Sequence, residues 1–115
     1  MTDEGAAAFE QLVNDALDAL PDDIRDQMTN VAVTVEDEPP DGQRLLGLYQ
    51  GVPWGRRGPY YSGALPDKIT IYRLPLEESY PNRPDLEREI RITVLHELGH
   101  YFGMDERELD ELGYG

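Results

Sequence analysis

Residues 96–106 read HELGHYFGMDE, and the spacing of the polar groups in this stretch is the most informative feature of the chain. His96 and His100 are four positions apart, and Glu97 directly follows the first histidine. Four positions advance an α-helix by slightly more than one turn, so both imidazoles would project from one face. Two such imidazoles can bind a single ion, since a zinc–nitrogen bond is about 2 Å long. Glu97 lies too far round the helix to complete the pair, and its place suits a general base acting on a water at the metal.

The residues before the two histidines predict the helix that this spacing requires. Apolar side chains recur four apart, with two more on the same face: Leu86, Ile90, Val94 and Leu98, then Leu95 and Phe102. Pro84 suits a first helical turn, and Asp85 favours the amino-terminal end of the helix dipole. We therefore predict a helix from residue 84 or 85 to about Phe102.

A third protein ligand is required, because a catalytic zinc usually has three protein ligands and one water. The chain has two histidines and no cysteine, which leaves carboxylates. Gly103 can adopt positive φ, end the helix and return the chain towards the metal, which would put Glu106 in the third-ligand position. Asp105 is the alternative ligand. Asp105 also suits the N-cap of a last helix in which Glu108 completes a capping box, with Leu109 and Leu112 as the apolar side of that helix.

The rest of the chain predicts a mixture of helices and short strands. Three- and four-residue spacing predicts a first helix that ends at Pro21, with these apolar positions: Phe9, Leu12, Val13, Ala16, Leu17 and Leu20. A helical turn is expected within residues 22–28, and loops within 36–42 and 51–66. Alternation predicts strands at residues 31–35 and 68–72, whereas the type of the apolar segment 45–49 is ambiguous. The strand at 68–72 suits a sheet edge that an extended peptide could join.

Composition limits the classes of function. Ten basic and twenty-four acidic side chains give a net charge of -14, which repels phosphate backbones and anionic lipid and argues against nucleic-acid or membrane partners. The amino terminus lacks the pattern of a secretory signal, and no apolar run is long enough to span a bilayer, so we expect a cytoplasmic protein. Because the chain has 115 residues, we expect it to form one domain.

Residues 96–103 resemble the active-site stretch of the minimal zincin-like metallopeptidases of bacteria. The similarity extends to residues 46–53 (LGLYQGVP), 65–73 (LPDKITIYR) and 109–114. This resemblance implies an α+β fold of the minimal zincin-like type, in which a small sheet with an edge strand lies above a cleft floored by the HExxH helix. It also implies zinc as the cofactor and an extended motif, HExxHxxGxxD, whose last position is a ligand. Glu106 occupies that position here and is one methylene longer than aspartate.

Several interpretations of these residues remain open. As a peptidase, the protein would hydrolyse peptide or protein substrates, with Glu97 carrying the proton from water to the leaving amine. As a zinc-binding interaction module, it would keep the metal without turnover, and a zinc hydrolase of nucleic acid is disfavoured by the charge. The alternative without a metal site is that the histidines are ordinary polar residues on a helix, beside an acidic turn exposed to solvent. Candidate donors to a tetrahedral oxyanion are Tyr60, Tyr61, Tyr72 and Tyr101, and Arg56 with Arg57 suits an acidic group of a substrate.

Overall fold

The structure is a computed structural model that describes residues 3–51 and 67–113. Its elements in chain order are α1 (Asp3–Asp18), α2 (Asp22–Asp26), β1 (Val31–Glu36), β2 (Gly47–Gln50), β3 (Asp67–Tyr72), α3 (Arg73–Ser79), α4 (Arg83–Tyr101) and α5 (Glu106–Glu111), with a short 3-10 turn at Pro40–Gly42. The α+β class is therefore confirmed. Apart from Gly51, the predicted loop at 51–66 lies outside the described residues. The same is true of four candidate residues within it: Arg56, Arg57, Tyr60 and Tyr61.

The three strands form one mixed sheet in the order β1-β3-β2. β1 runs parallel to β3, with Val33 opposite Ile69, and β2 runs antiparallel to β3, with Tyr49 opposite the same Ile69. The prediction that residues 68–72 lie at a sheet edge and accept a peptide is wrong, because β3 has a partner strand on each side. Its alternation was misleading: Thr70 has the polarity of a solvent-facing residue but is only 1% exposed. The ambiguous segment supplies the edge strand, β2.

The core is built around α4. Two helices contribute buried stripes that the spacing predicted, and the sheet contributes two isoleucines: Phe9, Val13 and Ala16 from α1, Ile90, Val94 and Leu98 from α4, and Ile69 and Ile71 from β3. Leu20 is also buried, but it lies in the turn after α1, which ends at Asp18 and not at the predicted Pro21. α4 contacts α1 as well as β2 and β3. Burying these side chains stabilises the fold by roughly 25 cal/mol for each Å² of apolar surface removed from water. The helix that carries the histidines is thus fixed from more than one direction.

Helix α3 was not predicted, because Pro75 had indicated only the end of a strand. β3 does end before Pro75, but the proline lies in the first turn of the next helix, where its missing N–H has no helical partner to lose. Leu76 anchors α3 in the core with no exposed surface. Arg73 holds its start, with Nε 3.0 Å from the Asp37 carboxylate and Nη1 3.2 Å from Glu77. Within the described ranges, no helix has both the length and the apolar character needed to cross a membrane.

Candidate metal centre

The two histidines lie side by side on α4. His96 Nε2 and His100 Nε2 are 3.3 Å apart, and the ring centroids are 4.9 Å apart. The two side chains are 22% and 28% exposed, so they lie on the solvent-accessible side of the helix. The spacing in the sequence therefore has the expected geometric result.

The end of α4 turns the chain back towards these rings. Gly103 adopts φ 92°, its N–H donates to the His100 carbonyl at 3.0 Å, and the Met104 N–H donates to the Gly99 carbonyl at 2.8 Å. This pair of bonds is a Schellman motif, and it confirms the predicted positive φ at Gly103. The returning Met104 carbonyl lies 3.1 Å from His100 Nδ1. When Nδ1 donates to that carbonyl, the lone pair of His100 is on Nε2, the atom beside His96.

Helix α5 begins with the predicted capping box. The Glu108 N–H donates to Asp105 Oδ1 at 2.9 Å, and the Asp105 N–H donates to Glu108 Oε1 at 3.2 Å. Leu109 is fully buried, but Leu112 is 53% exposed, so its predicted role as a second apolar contact is wrong. The reason is the length of α5, which ends at Glu111 and leaves Leu112 in the C-cap position.

Leu109 packs so closely on Gly99 of α4 that any larger residue at this position would require Leu109 to move. A Cβ atom built at Gly99 would lie 2.3 Å from Leu109 Cδ2 and 3.2 Å from its Cγ. Carbon atoms in favourable contact are about 3.5–4.0 Å apart. The glycine therefore lets α5 approach α4 by an additional ångström or more, and this contact places the first turn of α5 beside the imidazoles.

The residue at that first turn is Glu106. Its Oε1 lies 3.0 Å from His96 Nε2, and its Oε2 lies 3.4 Å from His100 Nε2. One atom from each of these three residues can be chosen so that all lie within 4.8 Å of one another. Of the two carboxylates that the sequence left open, the structure brings Glu106 to the histidines and uses Asp105 as a helix cap.

These three side chains fit a zinc ion. Ligand atoms about 2.0–2.1 Å from a tetrahedral zinc are about 3.3–3.4 Å from each other. The two Nε2 atoms are 3.3 Å apart, which matches this value. Each of them lies beside a different oxygen of Glu106, with Oε1 3.0 Å from His96 and Oε2 3.4 Å from His100. Two imidazoles and one carboxylate are also a donor set that catalytic zinc sites use, with the fourth position left for water.

Glu97 lies beneath strand β2. It is 7% exposed, and this burial raises the pKa of its carboxyl group, while the neighbouring His96 and His100 act in the opposite direction. The backbone N–H of Tyr49 in β2 donates a hydrogen bond to it. β2 comes this close because Gly47 has no side chain: a Cβ there would lie 3.2 Å from Glu97 Cγ.

The Tyr49 side chain holds the same strand against β3 and α4. Its hydroxyl donates to Asp67 Oδ2 at 2.5 Å, and Asp67 is only 2% exposed. The Tyr49 ring also packs edge-on against Tyr101, with centroids 6.1 Å apart. The prediction that Tyr101 donates to an oxyanion is wrong, since it is fully buried in the core, with its hydroxyl 3.4 Å from the Gln27 carbonyl. Tyr72 is 3% exposed, and its candidate role stays a prediction.

A cleft of about 280 Å³ adjoins Glu97 and His96. One wall is the segment 44–47, which ends at the first residue of β2, and the other is formed by Tyr80 and by side chains of α4 between Glu89 and Glu97. A larger cleft of about 560 Å³ lies between residues 38–46 and α3, and it contains neither histidine nor Glu97. Of these two clefts, the smaller one is therefore the cleft that adjoins the candidate metal centre.

Sequence reasoning missed three positions that shape this site: Gly47, Gly99 and the Tyr49 amide. A glycine inside a helix costs stability relative to alanine, so Gly99 within the HELGH stretch was itself a signal of close packing. No comparable signal marked the Tyr49 amide, because a backbone group has no identity in the sequence.

The family model described as zincin-like metallopeptidase matches residues 28–115. The match includes all three strands, both histidines, Glu97 and Glu106. A comparison with curated protein sequences finds no match. Since the family model covers well over half of the 115 residues and the described site has the composition of a zinc centre, the chain belongs to the zincin-like metallopeptidase family.

Proposed function

We propose that this protein is a zinc-dependent peptidase in which His96, His100 and Glu106 bind the metal and Glu97 is the general base. The observation that carries the proposal is the joint geometry of the site. The two imidazole nitrogens are 3.3 Å apart, as two tetrahedral zinc ligands would be, and the Glu106 carboxylate lies beside both. The buried carboxylate of Glu97 lies one residue from His96 and lines an open cleft. Membership of the zincin-like metallopeptidase family supports the same assignment.

The bound zinc would polarise the scissile carbonyl and acidify a water molecule. The Glu97 carboxylate accepts a proton from the attacking water and returns it to the leaving amine. Burial raises the affinity of this carboxylate for a proton, which helps it to act as a base. The Tyr49 amide orients it, and the Met104 carbonyl orients the His100 ring, so both side chains are held before a substrate arrives.

The substrate is a peptide or protein segment. It would lie in the cleft between residues 44–47 and α4, which opens beside the proposed base. The net charge of -14 favours neutral or cationic segments over anionic ones.

The experiment measures zinc content and peptide cleavage together. We expect Glu106→Gln to lose zinc affinity, and His96→Ala to lose zinc altogether. Glu111→Gln is the matched control, because it makes the same change on the same helix at a side chain that is 66% exposed and pairs with Arg107. Full zinc content in both site variants would contradict the proposed ligands.

The second candidate is a zinc-binding interaction module with little or no turnover. The observation in its favour is the size of the cleft, about 280 Å³, at the lower limit of typical ligand pockets. Glu97→Gln separates the two functions. Both predict that the variant retains zinc, whereas only the peptidase predicts a fall in kcat of about a hundredfold to ten-thousandfold. A wild-type protein that holds zinc and cleaves no peptide would favour the interaction module.

A further inference from the structure

The cleft beside Glu97 changes in chemical character along its length. Its inner end is formed by His96 and Glu97, and its walls include the apolar side chains of Leu45, Leu46 and Ile92. Glu89 also lines it, eight positions before Glu97 on the same helix. At 1.5 Å per residue, these two positions are about 12 Å apart along α4. The cleft is therefore long, with apolar walls and an acidic group at the end remote from the proposed base.

The Glu89 carboxylate can accept a further hydrogen bond. Its side chain is 19% exposed, and the Tyr80 hydroxyl donates to it. Arg88 Nε lies 3.7 Å from Glu89 Oε2, but the same guanidinium is closer to Asp85, at 2.9 Å, and it is 53% exposed. A carboxylate has about four acceptor positions, so these two neighbours leave capacity for another donor.

We propose that this cleft binds a lysine or arginine side chain of the substrate, next to the scissile bond, and that Glu89 determines this specificity. The inference rests on the proposed peptidase function. Lysine and arginine have long apolar stems with a cationic end, which match the apolar walls and the remote carboxylate. A short side chain would not reach Glu89, and an acidic side chain would be repelled by its carboxylate.

Two other charges bear on this assignment. Arg44 also lines the cleft, but it is exposed to solvent, where water and salt screen its charge. The overall charge of -14 attracts a cationic segment towards the cleft. Glu89 is thus the partly buried charge that a bound side chain would meet at the end of the cleft.

The test compares lysine with norleucine, which has the same stem without the ammonium group. Fluorogenic peptides would carry either residue at each position flanking the scissile bond, and kcat/KM would be measured with the zinc-loaded protein. We expect the wild type to favour lysine by about tenfold or more, as a charge-assisted hydrogen bond implies, and Glu89→Gln to bring the ratio close to one. Glu87→Gln is the matched control, because Glu87 is on the same helix and outside this cleft, and it should keep the wild-type ratio.

A binding measurement separates this inference from the proposed function. The same peptides would be titrated against Glu97→Gln and against Glu97→Gln/Glu89→Gln, with fluorescence anisotropy as the readout. Tighter binding of the lysine peptide that disappears in the double variant supports the cleft assignment, even if the wild type cleaves nothing and the peptidase proposal fails. Cleavage without a preference for lysine or arginine overturns the cleft assignment alone. Equal binding of both peptides with no cleavage overturns both.

Discussion

Replacing Gly99 by alanine tests how closely α5 must pack on α4 for the metal centre to form. The new methyl group would lie 2.3 Å from Leu109 Cδ2, about 1.2 Å inside the distance of a favourable carbon contact. Leu109 is fully buried and has no room to turn into solvent, so we expect α5 to shift away from α4 to relieve the contact. Glu106 is one turn before Leu109 on this helix, and it would move away from the two imidazoles.

The expected effects on stability and on zinc affinity differ in size. Overpacking costs about 1–3 kcal/mol of unfolding free energy, whereas alanine gains about 0.5–1 kcal/mol over glycine in a helix interior. The net loss of stability is therefore modest. Zinc affinity should fall by about tenfold to a hundredfold, as it does when groups that position a ligand are altered.

The assay is competition for zinc with a chromophoric chelator, alongside chemical denaturation of the same samples. Gly5→Ala is the matched control, because among the described residues its Cβ in α1 would meet only Arg73 Nη1, at an ordinary 3.6 Å. Gly99→Ala/Leu109→Ala should recover part of the lost zinc affinity by removing the clash. A folded Gly99→Ala protein with wild-type zinc affinity would refute the reasoning.

Three further substitutions test other contacts of the site. Gly47→Ala would put a methyl group 2.8 Å from Thr93 Cγ2 and 3.2 Å from Glu97 Cγ, so β2 and Glu97 would shift apart, and kcat/KM for a cleaved peptide should fall by about tenfold to a hundredfold while zinc is retained. Asp105→Ala removes the N-cap of α5 and should cost about 0.5–2 kcal/mol in chemical denaturation. Tyr49→Phe removes the 2.5 Å hydrogen bond to the buried Asp67, which should lower the unfolding free energy by about 1–3 kcal/mol. Loss of zinc from Gly47→Ala would contradict the role given to Gly47. Unchanged stability in Asp105→Ala or Tyr49→Phe would contradict the capping box or the hydrogen bond to Asp67. Asp110→Ala is the control for Asp105→Ala, because it makes the same change at another position of α5.

The helical parts of the site were predictable because helix geometry converts spacing directly into proximity. Four positions place His96 beside His100, and a glycine three residues later has few uses other than ending the helix. The capping box was equally predictable, since the side chains of Asp105 and Glu108 each accept a hydrogen bond from the backbone N–H of the other within one turn. Local interactions of this kind need no knowledge of the rest of the fold.

The sheet was less predictable because strand order depends on distant parts of the chain. Alternation identified β3 as a strand but could not show that β1 and β2 flank it. The burial of Glu97 depends on the same long-range strand pairing, because this pairing places Gly47 and the Tyr49 amide of β2 over α4. Tyr101 was misassigned for a related reason: its neighbour Tyr49 is 52 positions away in the sequence and is brought to it only by the fold.

The six-residue length of α5 links metal binding to folding of that helix. A helix this short is not stable by itself in water, and the part that carries Glu106 is fixed by one leucine and one capping box. By thermodynamic reciprocity, whatever factor the ordered helix adds to zinc affinity, zinc adds to the equilibrium population of the ordered helix. Amide hydrogen exchange in residues 106–111 should therefore slow on addition of zinc, and the protection factor gained there would measure the share of the binding energy contributed by this helix.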